Sequence, residues 1–265
     1  MIKLMAIDVD GTLLHDDHHL SERNKKAIFM AKEKGIKVIL ATGRGPRSCD
    51  PLIDSLKLTD LMITHNGAVL YDPTENRAEE EVGYKPVELM PVVEYCRKRN
   101  IHFDASTAFD IYTEELKEEY IPLYQQFFAQ PIVVDDIACL KETIVKFTLT
   151  IEPGEIERIY ADMLPRFSSF SIIRSGEMFI DVMHPQATKG HGLRSIMDRY
   201  KLTPDQVMAF GNYYNDLGML KIAGIGVAMK NAPLDVQAKA DWIAKTNNED
   251  GVAQVIEEML TDVSG

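Results

Sequence analysis

Two patterns of hydrophobic residues along this chain predict two kinds of sheet. Near the start, the runs IKLMAI and IKVILA are almost continuously apolar, which is typical of parallel strands that are covered on both faces. Between them, Ser21 is placed to cap a helix and Gly35 to end it in a left-handed conformation. A third run, LMIT, leads into the turn residues His65, Asn66 and Gly67 and then into a return strand. These strand–helix units predict an open, doubly wound parallel sheet.

The pattern changes after residue 79 and changes back at Lys189. The intervening segments TIVKFTLTIE and EMFIDVM alternate apolar and polar residues among helical segments, an order that is typical of an α+β domain. After Lys189, helices alternate again with apolar strands such as VMAF and GIGVAM. We therefore predict an α/β protein in which residues 1–80 and 187–265 form a parallel-sheet core, with residues 81–186 as an inserted α+β domain.

Composition and charge narrow the class of protein. Of the 265 residues, 45% are hydrophobic and 26% are charged, as in a globular protein with a proper core. The formal net charge of −12 argues against general binding to nucleic acids or to anionic membrane surfaces. No apolar run approaches the roughly 20 residues of a membrane span. The three cysteines are scattered without metal-site spacing, so we expect a cytoplasmic protein, either a monomer or a homodimer.

Polar residues of a suitable kind for chemistry stand at four strand ends or helix starts. They are Asp8 to Thr12 after the first strand, Thr42 to Arg44 after the second, Lys189 and Gly190 at a helix start, and Gly211 to Asp216 after VMAF. Each segment alone has an ordinary interpretation as a turn or a helix cap. In an open parallel sheet, however, ligands bind beyond the carboxyl ends of the strands. Four such segments at one edge therefore favour a ligand site.

The charges in these segments suit phosphoryl transfer. Asp8, Asp10 and Asp216 offer hard oxygen ligands, which Mg²⁺ prefers together with water and phosphate oxygens. Arg44 and Lys189 offer positive charge to an anion. Carboxylates, a metal ion and cations together can neutralise the charge of a transferred phosphoryl group.

Asp8 and Asp10 are spaced for two roles in that reaction. At positions i and i+2 of a strand, the side chains point the same way, with Cα atoms roughly 7 Å apart. One carboxylate could attack phosphorus and form an aspartyl phosphate, which is the role expected for Asp8. The other, Asp10, could protonate the leaving oxygen and later deprotonate the attacking water.

Two neighbouring polar clusters are given no site role. His15, His18 and His19 lie beside Asp16 and Asp17, but their spacing follows no zinc pattern. The charged run RAEEEVGYK is interpreted as a solvated hinge.

With these motifs in order, the sequence resembles the haloacid dehalogenase superfamily of phosphatases over essentially its whole length, and most of all the Cof-type (class IIB) branch. The four motifs match the four segments described above. The resemblance implies a Rossmann-like core, a cap domain of the C2B type after the third strand, and Mg²⁺-dependent hydrolysis of phosphate monoesters.

The resemblance also implies a role for each matching residue. Asp8 would be the nucleophile and a metal ligand, and Asp10 the acid/base that also binds the metal through its backbone carbonyl. The expected metal ligands are Asp8, Asp10, Asn212 and Asp216. The expected phosphate-binding residues are Thr42, Gly43, Arg44, Lys189 and Asn215.

One residue departs from the family pattern. The fourth motif usually reads Gly-Asp-x-x-Asn-Asp, whereas Asn212 follows Gly211 here. An amide oxygen can still bind Mg²⁺ but brings no negative charge, so we expect weaker metal binding.

Three functions follow from the residues and the resemblance. The first is a Mg²⁺-dependent phosphatase acting on small phosphorylated metabolites, sugar phosphates above all. The alternatives are a weakly active or non-catalytic sensor of a phosphate ligand, which Asn212 motivates, and a phosphomutase that shares the core chemistry.

Overall fold

The computed structural model describes residues 1–126, 130–152 and 154–262, which fall into two compact units. The first unit contains residues 1–44, 49–79 and the chain from Thr188 onward, and the second contains residues 45–48 and 80–187. Within the described residues, no helix combines the length and the apolar character that a membrane crossing requires.

The first unit alternates strands and helices. Its elements are β1 (Leu4–Ile7), α1 (Glu22–Glu33), β2 (Lys37–Leu40), α2 (Asp50–Leu56), β3 (Met62–Thr64), β4 (Val69–Asp72), the start of β5 (Arg77–Glu81), and, after the second unit, α6 (Lys189–Tyr200), β12 (Val207–Gly211), α7 (Leu217–Ile222), β13 (Ile225–Met229), α8 (Leu234–Gln237), β14 (Trp242–Ala244) and α9 (Gly251–Asp262).

Five parallel strands form the sheet of the first unit in the order β14-β13-β12-β1-β2. The next strand, β3, joins β2 through the parallel bridge between Ala41 and Ile63. All four residues of β1 are fully buried, because a central parallel strand is covered on both faces. The predicted doubly wound parallel sheet is confirmed, and every carboxyl end of these strands lies at one edge.

The helix predicted after β1 begins and ends where its sequence signals stand. Ser21 accepts a hydrogen bond from the backbone N–H of Asn24 (3.0 Å) at the start of α1. Gly35 follows the last turn with a φ of 77°, in the left-handed region that glycine adopts without strain. The first five residues of the charged run interpreted as a hinge form the strand β5, which pairs with β4 at the edge of a three-stranded sheet. The sequence did not predict this strand because the run lacks the apolar alternation that marks a half-buried strand.

The second unit is built on a mostly antiparallel sheet. Its elements are α3 (Met90–Arg99), β6 (His102–Ser106), β7 (Ile111–Thr113), α4 (Ile121–Gln126), β8 (Ile132–Val133), β9 (Lys146–Thr150), α5 (Ile156–Arg166), β10 (Ser171–Arg174) and β11 (Phe179–Met183). Its six strands lie in the order β10-β11-β9-β6-β7-β8, and only β7 and β8 pair in parallel.

The two faces of this sheet differ in chemistry. Alternate residues such as Phe103, Phe147 and Ile180 belong to an apolar core together with residues of α3 and α5. The residues between them are polar, and Asp104, Thr148 and Asp181 stand side by side on three adjacent strands. The alternation predicted from the sequence therefore places apolar core residues on one face of the sheet and buried polar residues on the other.

Candidate active site

The predicted site residues meet at the carboxyl edge of the parallel sheet in the first unit. Asp8 directly follows β1, and its backbone N–H donates to the Phe210 carbonyl of β12 (3.0 Å). Thr42 follows β2 and donates in the same way to Ile63 of β3 (2.8 Å). Lys189 begins α6, where the Thr188 side chain caps the helix by accepting from the N–H of His191. Parallel pairing thus brings residues distant in sequence to one edge.

A buried trio of charged side chains forms the centre of the site. Lys189 Nζ donates to Asp8 Oδ1 (2.6 Å) and to Asp216 Oδ1 (2.6 Å). The three residues are between 0% and 5% exposed, so these ion pairs are shielded from water and hold a fixed geometry.

Further hydrogen bonds complete the trio. The Thr12 hydroxyl donates to Asp8 Oδ2 (2.9 Å). Asp216 Oδ2 accepts the backbone N–H groups of Asn212 (2.8 Å) and Tyr213 (2.9 Å). Each carboxylate is therefore held by several donors, as a buried charge requires.

Burial and a shared counter-ion set the protonation of the trio. Burial first, and the neighbouring carboxylate of Asp216 second, raise the pKa of Asp8 to about 7, although Lys189 and Thr12 oppose the shift. Burial is also the largest influence on Lys189, where it acts to lower the pKa, but the two carboxylates outweigh it and the pKa of Lys189 is raised. The lysine is therefore charged, and one ammonium faces two carboxylates. That imbalance favours an additional cation.

Asp10 lies in a different environment, only two residues after Asp8. Arg44 holds it with two hydrogen bonds, from Nε to Oδ2 (2.9 Å) and from a terminal nitrogen to Oδ1 (2.5 Å). Its side chain is 46% exposed, and the Nδ1 atom of the exposed His18 lies 3.5 Å from Oδ1. Asp10 is therefore open to water and substrate, whereas Asp8 is almost completely buried.

The guanidinium of Arg44 therefore lies on Asp10, and the binding of phosphate by Arg44 stays a prediction. Its backbone N–H donates to the Thr42 hydroxyl (3.1 Å), which fixes the second motif as a tight turn.

Asn66 links the second and fourth motifs. Its backbone N–H donates to the Thr42 carbonyl (2.9 Å), and its Oδ1 accepts from Asn215 Nδ2 (3.0 Å). Its side chain also lies against Gly43. The sequence showed Asn66 only as a turn residue beside Gly67, and its φ of 57° satisfies that signal. Its contact with Asn215 depends on tertiary folding, and no local pattern indicates it.

Gly67 is required by the close approach of two chain segments. Its φ is 98°, and a Cβ there would lie 2.0 Å from the Thr188 carbonyl oxygen. The absence of a side chain lets the turn after β3 approach the start of α6, which carries Lys189.

Asn212 lies where the predicted metal ligands converge. With its amide oriented to satisfy its neighbours, Nδ2 donates to Asp8 Oδ2 (3.1 Å) and to the Asp10 carbonyl oxygen (3.1 Å). A Cβ on Gly11, whose φ is 74°, would lie 2.3 Å from this amide, so glycine makes room for it.

With the Asn212 amide turned so that its oxygen faces inward, these groups could hold a magnesium ion. A carboxylate, a backbone carbonyl and an amide able to present its own oxygen make a hard donor set beside a second carboxylate, Asp216.

Comparison with known proteins identifies the family. The sequence profile of the haloacid dehalogenase-like hydrolases matches residues 5–256. The chain belongs to this family. A relative in Bacillus subtilis strain 168, named 5-amino-6-(5-phospho-D-ribitylamino)uracil phosphatase YcsE, is 34% identical over 96% of this chain and 94% of its own length. A second protein of this organism named for the same activity, YitU, is 28% identical over 97% of both chains. The chain is thus a phosphatase of the haloacid dehalogenase-like family.

Solved structures share the fold over nearly the whole chain. A Thermotoga maritima protein superposes with a TM-score of 0.89 at 27% identity, covering 97% of each chain. A haloacid dehalogenase-like hydrolase from Bacteroides thetaiotaomicron gives 0.87 at 27% identity, covering 98% of this chain and 100% of its own.

Proposed function

We propose that this phosphatase hydrolyses phosphate monoesters of small metabolites through an aspartyl phosphate on Asp8, with Mg²⁺ as its cofactor. The observation that supports this most directly is the contrast between two carboxylates two residues apart. Asp8 is buried against Lys189, and Asp10 is half exposed against Arg44. A nucleophile needs a fixed, water-excluded position, and an acid/base needs access to a proton.

The reaction then follows in two steps. An Asp8 oxygen attacks phosphorus, the bond from phosphorus to the leaving oxygen breaks, and Asp10 gives its proton to that oxygen. In the second step Asp10 takes a proton from water, the hydroxide attacks phosphorus, and the bond between phosphorus and Asp8 breaks to release inorganic phosphate. Asp8 and Asp10 are thereby restored.

The remaining motif residues have supporting roles in this proposal. Asp8, the Asp10 carbonyl, Asn212 and Asp216 would hold Mg²⁺, which supplies charge neutralisation to the phosphoryl group. Lys189 would hold a phosphoryl oxygen and favour the ionised form of Asp8. Thr42, Gly43 and Asn215 would bind the other phosphoryl oxygens, and Arg44 would orient Asp10 until substrate arrives.

Small phosphorylated sugars and polyols are the proposed substrate class. The Bacillus subtilis relatives YcsE and YitU are named for a substrate that carries a phosphorylated ribityl chain. We propose that residues 81–186 set the preference among such compounds, and that residues 1–80 and 187–265 carry the chemistry. Ranking kcat/KM over sugar phosphates, that ribityl phosphate and nucleotides tests the class. A preference for nucleotides would contradict it.

Turnover of p-nitrophenyl phosphate with Mg²⁺ tests the reaction itself. We expect phosphate release by the wild type, none above background by Asp8→Asn, and attachment of beryllium fluoride to Asp8. Attachment at another residue would contradict the proposal.

The same assays separate the two alternatives. The phosphate-sensor alternative is motivated by Asn212, which brings no negative charge to the metal site. It predicts that the protein binds a phosphate ligand without turnover. A phosphomutase predicts isomerisation of a sugar phosphate with little phosphate release.

A further inference from the structure

A cluster of histidine and aspartate side chains lies in the loop between β1 and α1, outside the trio. Ligand atoms of His15, Asp17 and His19 all lie within 4.8 Å of one another. Two imidazoles and a carboxylate suit Zn²⁺ and related first-row metals better than Mg²⁺, which prefers oxygen ligands alone. We propose that these three side chains form a second metal site, specific for a divalent transition metal ion such as Zn²⁺.

The backbone of the loop brings the three residues together. His18 N–H donates to the His15 carbonyl (2.9 Å), and His15 N–H donates to the His19 carbonyl (3.1 Å). His18 completes the turn with a φ of 63°. This closed turn places residues 15 and 19 opposite each other, and their rings meet edge to face with centroids 4.4 Å apart. The ligands are thus gathered before any ion binds, which lowers the entropy cost of binding.

The residue between two of the ligands anchors the turn to the rest of the first unit. Asp16 accepts hydrogen bonds from Asn247 Nδ2 (2.9 Å) and Asn248 Nδ2 (2.7 Å), and its own N–H donates to Asn248 Oδ1 (3.0 Å). With Asp16 held in this way, the side chain of Asp17 is left 71% exposed and that of His19 53% exposed. An ion from solvent can therefore reach them.

One ligand already has the partner that metal-binding histidines use. His15 Nε2 lies 2.9 Å from Asp250 Oδ1. A carboxylate on one ring nitrogen fixes the ring and makes the other nitrogen a better ligand. The contact between His19 Nδ1 and the Asp17 carboxylate brings two of the proposed ligands together. Asp250 thus serves as a positioning residue for His15.

Only small side-chain movements are needed to complete the coordination. The donors of a tetrahedral ion with bonds of about 2.0–2.1 Å lie roughly 3.3 Å apart. Rotation of the two exposed side chains, Asp17 and His19, would close the remaining gap, and water would fill the fourth position. The carboxylates of Asp16 and Asp250 lie close by and add to the negative charge that attracts a cation.

Zn²⁺ titration by calorimetry tests the site, with the full chain in saturating Mg²⁺ so that the carboxylate site is filled. We expect one equivalent to bind. The exposed variants His19→Gln and Asp17→Asn should each weaken binding at least about tenfold, and Asp250→Asn by about 10- to 100-fold. Circular dichroism verifies that each variant is folded.

Two matched variants identify the ligands. His18→Gln changes a histidine of the same turn that is not in the set, and Asp8→Asn disables the carboxylate site. Both should bind Zn²⁺ as the wild type does. Co²⁺ bound in place of Zn²⁺ should give the visible absorption of a low-coordinate site in His18→Gln and Asp8→Asn, the variants expected to keep binding. The proposal fails if the wild type binds no Zn²⁺ in Mg²⁺, if His19→Gln binds normally, or if His18→Gln or Asp8→Asn abolishes binding.

Discussion

The two large sheets of this protein handle polar residues in opposite ways. In the parallel sheet of the first unit, β1 is apolar throughout, and charged residues begin only at Asp8, where the strand ends. In the sheet of the second unit, Asp104, Thr148 and Asp181 lie within the strands, side by side on one face. All three are at most 7% exposed.

The difference follows from how each sheet is covered. A parallel sheet buried on both faces has no place for a charge except at the strand ends, where helix starts and loops supply partners. An antiparallel sheet alternates its faces, and polar residues can pair across strands, as Thr148 does by donating to Asp181 Oδ1 (2.9 Å). Charges are therefore gathered at one edge of the first sheet and spread over a face of the second.

The largest expected effect comes from neutralising the nucleophile at the strand end. Asp8→Asn should lower kcat for p-nitrophenyl phosphate by at least about 10⁴-fold, because covalent catalysis is lost. The free energy of unfolding should stay the same or rise, since burial, which raises the pKa of Asp8, disfavours its charged form in the folded state. Urea unfolding and steady-state kinetics measure both. Activity within tenfold of the wild type would show that the strand end is not the reaction centre.

Removing the cation of the trio should affect both activity and stability. Lys189→Met leaves two buried carboxylates without their counter-ion, so unfolding should become easier by about 3 kcal/mol and kcat should fall about 10³-fold. The matched change in the second unit, Thr148→Val, removes one hydrogen bond and should cost only about 1–2 kcal/mol. If Lys189→Met and Thr148→Val lowered the free energy of unfolding by equal amounts, the contrast between the two sheets would be contradicted.

A smaller effect is expected from restoring the charge in the fourth motif. Asn212→Asp should strengthen the apparent Mg²⁺ affinity of the phosphatase reaction by roughly tenfold, about 1.4 kcal/mol. The reason is that the amide, which donates to Asp8 and to the Asp10 carbonyl, becomes a further anionic ligand. Asn212→Ala is the control and should weaken Mg²⁺. Unchanged affinity in Asn212→Asp would exclude this residue as a ligand.

The last expected effect concerns pH and the polar face of the second sheet. Burial above all, and then Asp181, raise the pKa of Asp104 to about 7, although Lys146 and Tyr124 oppose the shift. Burial, followed by Lys117, lowers the pKa of His102 to about 4. The Tyr124 hydroxyl connects the two side chains, at 2.9 Å from His102 Nε2 and 3.2 Å from Asp104 Oδ2.

These shifts oppose each other between about pH 4 and pH 6.5. The folded state keeps a proton on Asp104 that the unfolded state loses, so this group's contribution to stability falls as pH rises from about 4 to 7. The folded state releases a proton from His102 that the unfolded state keeps. The contribution of His102 to stability therefore rises as pH rises from about 4 to 6.5. Relative to the wild type, Asp104→Asn should make the slope of stability against pH more positive and His102→Gln should make it more negative, each by at most about 1.4 kcal/mol per pH unit. Urea unfolding midpoints measured from about pH 4 to 6.5 test this prediction. Identical slopes of stability against pH in the two variants would contradict the assignment of the opposing shifts to Asp104 and His102.

The sequence was sufficient wherever the signal was local. Continuous apolar runs predicted the parallel strands, and Ser21 and Gly35 marked the ends of α1. The four motifs placed Asp8, Thr42, Lys189 and Asp216 at strand ends or helix starts. Their meeting followed from one rule, that parallel strands end at a common edge. The strand β5 was not predicted because its charged residues show no strand pattern. It forms by pairing with β4.

Contacts between distant segments were decided only by the tertiary structure. The residue type indicated that Arg44 binds an anionic group, but it did not show that the Arg44 side chain hydrogen-bonds to Asp10. Asn66 gave a turn signal, and its bond to Asn215 arises from chain segments 149 residues apart. The spacing of His15, Asp17 and His19 matched no zinc pattern, yet one closed turn gathers them. Periodicity and caps report on the backbone within a few residues, whereas side-chain partners depend on how the whole chain packs.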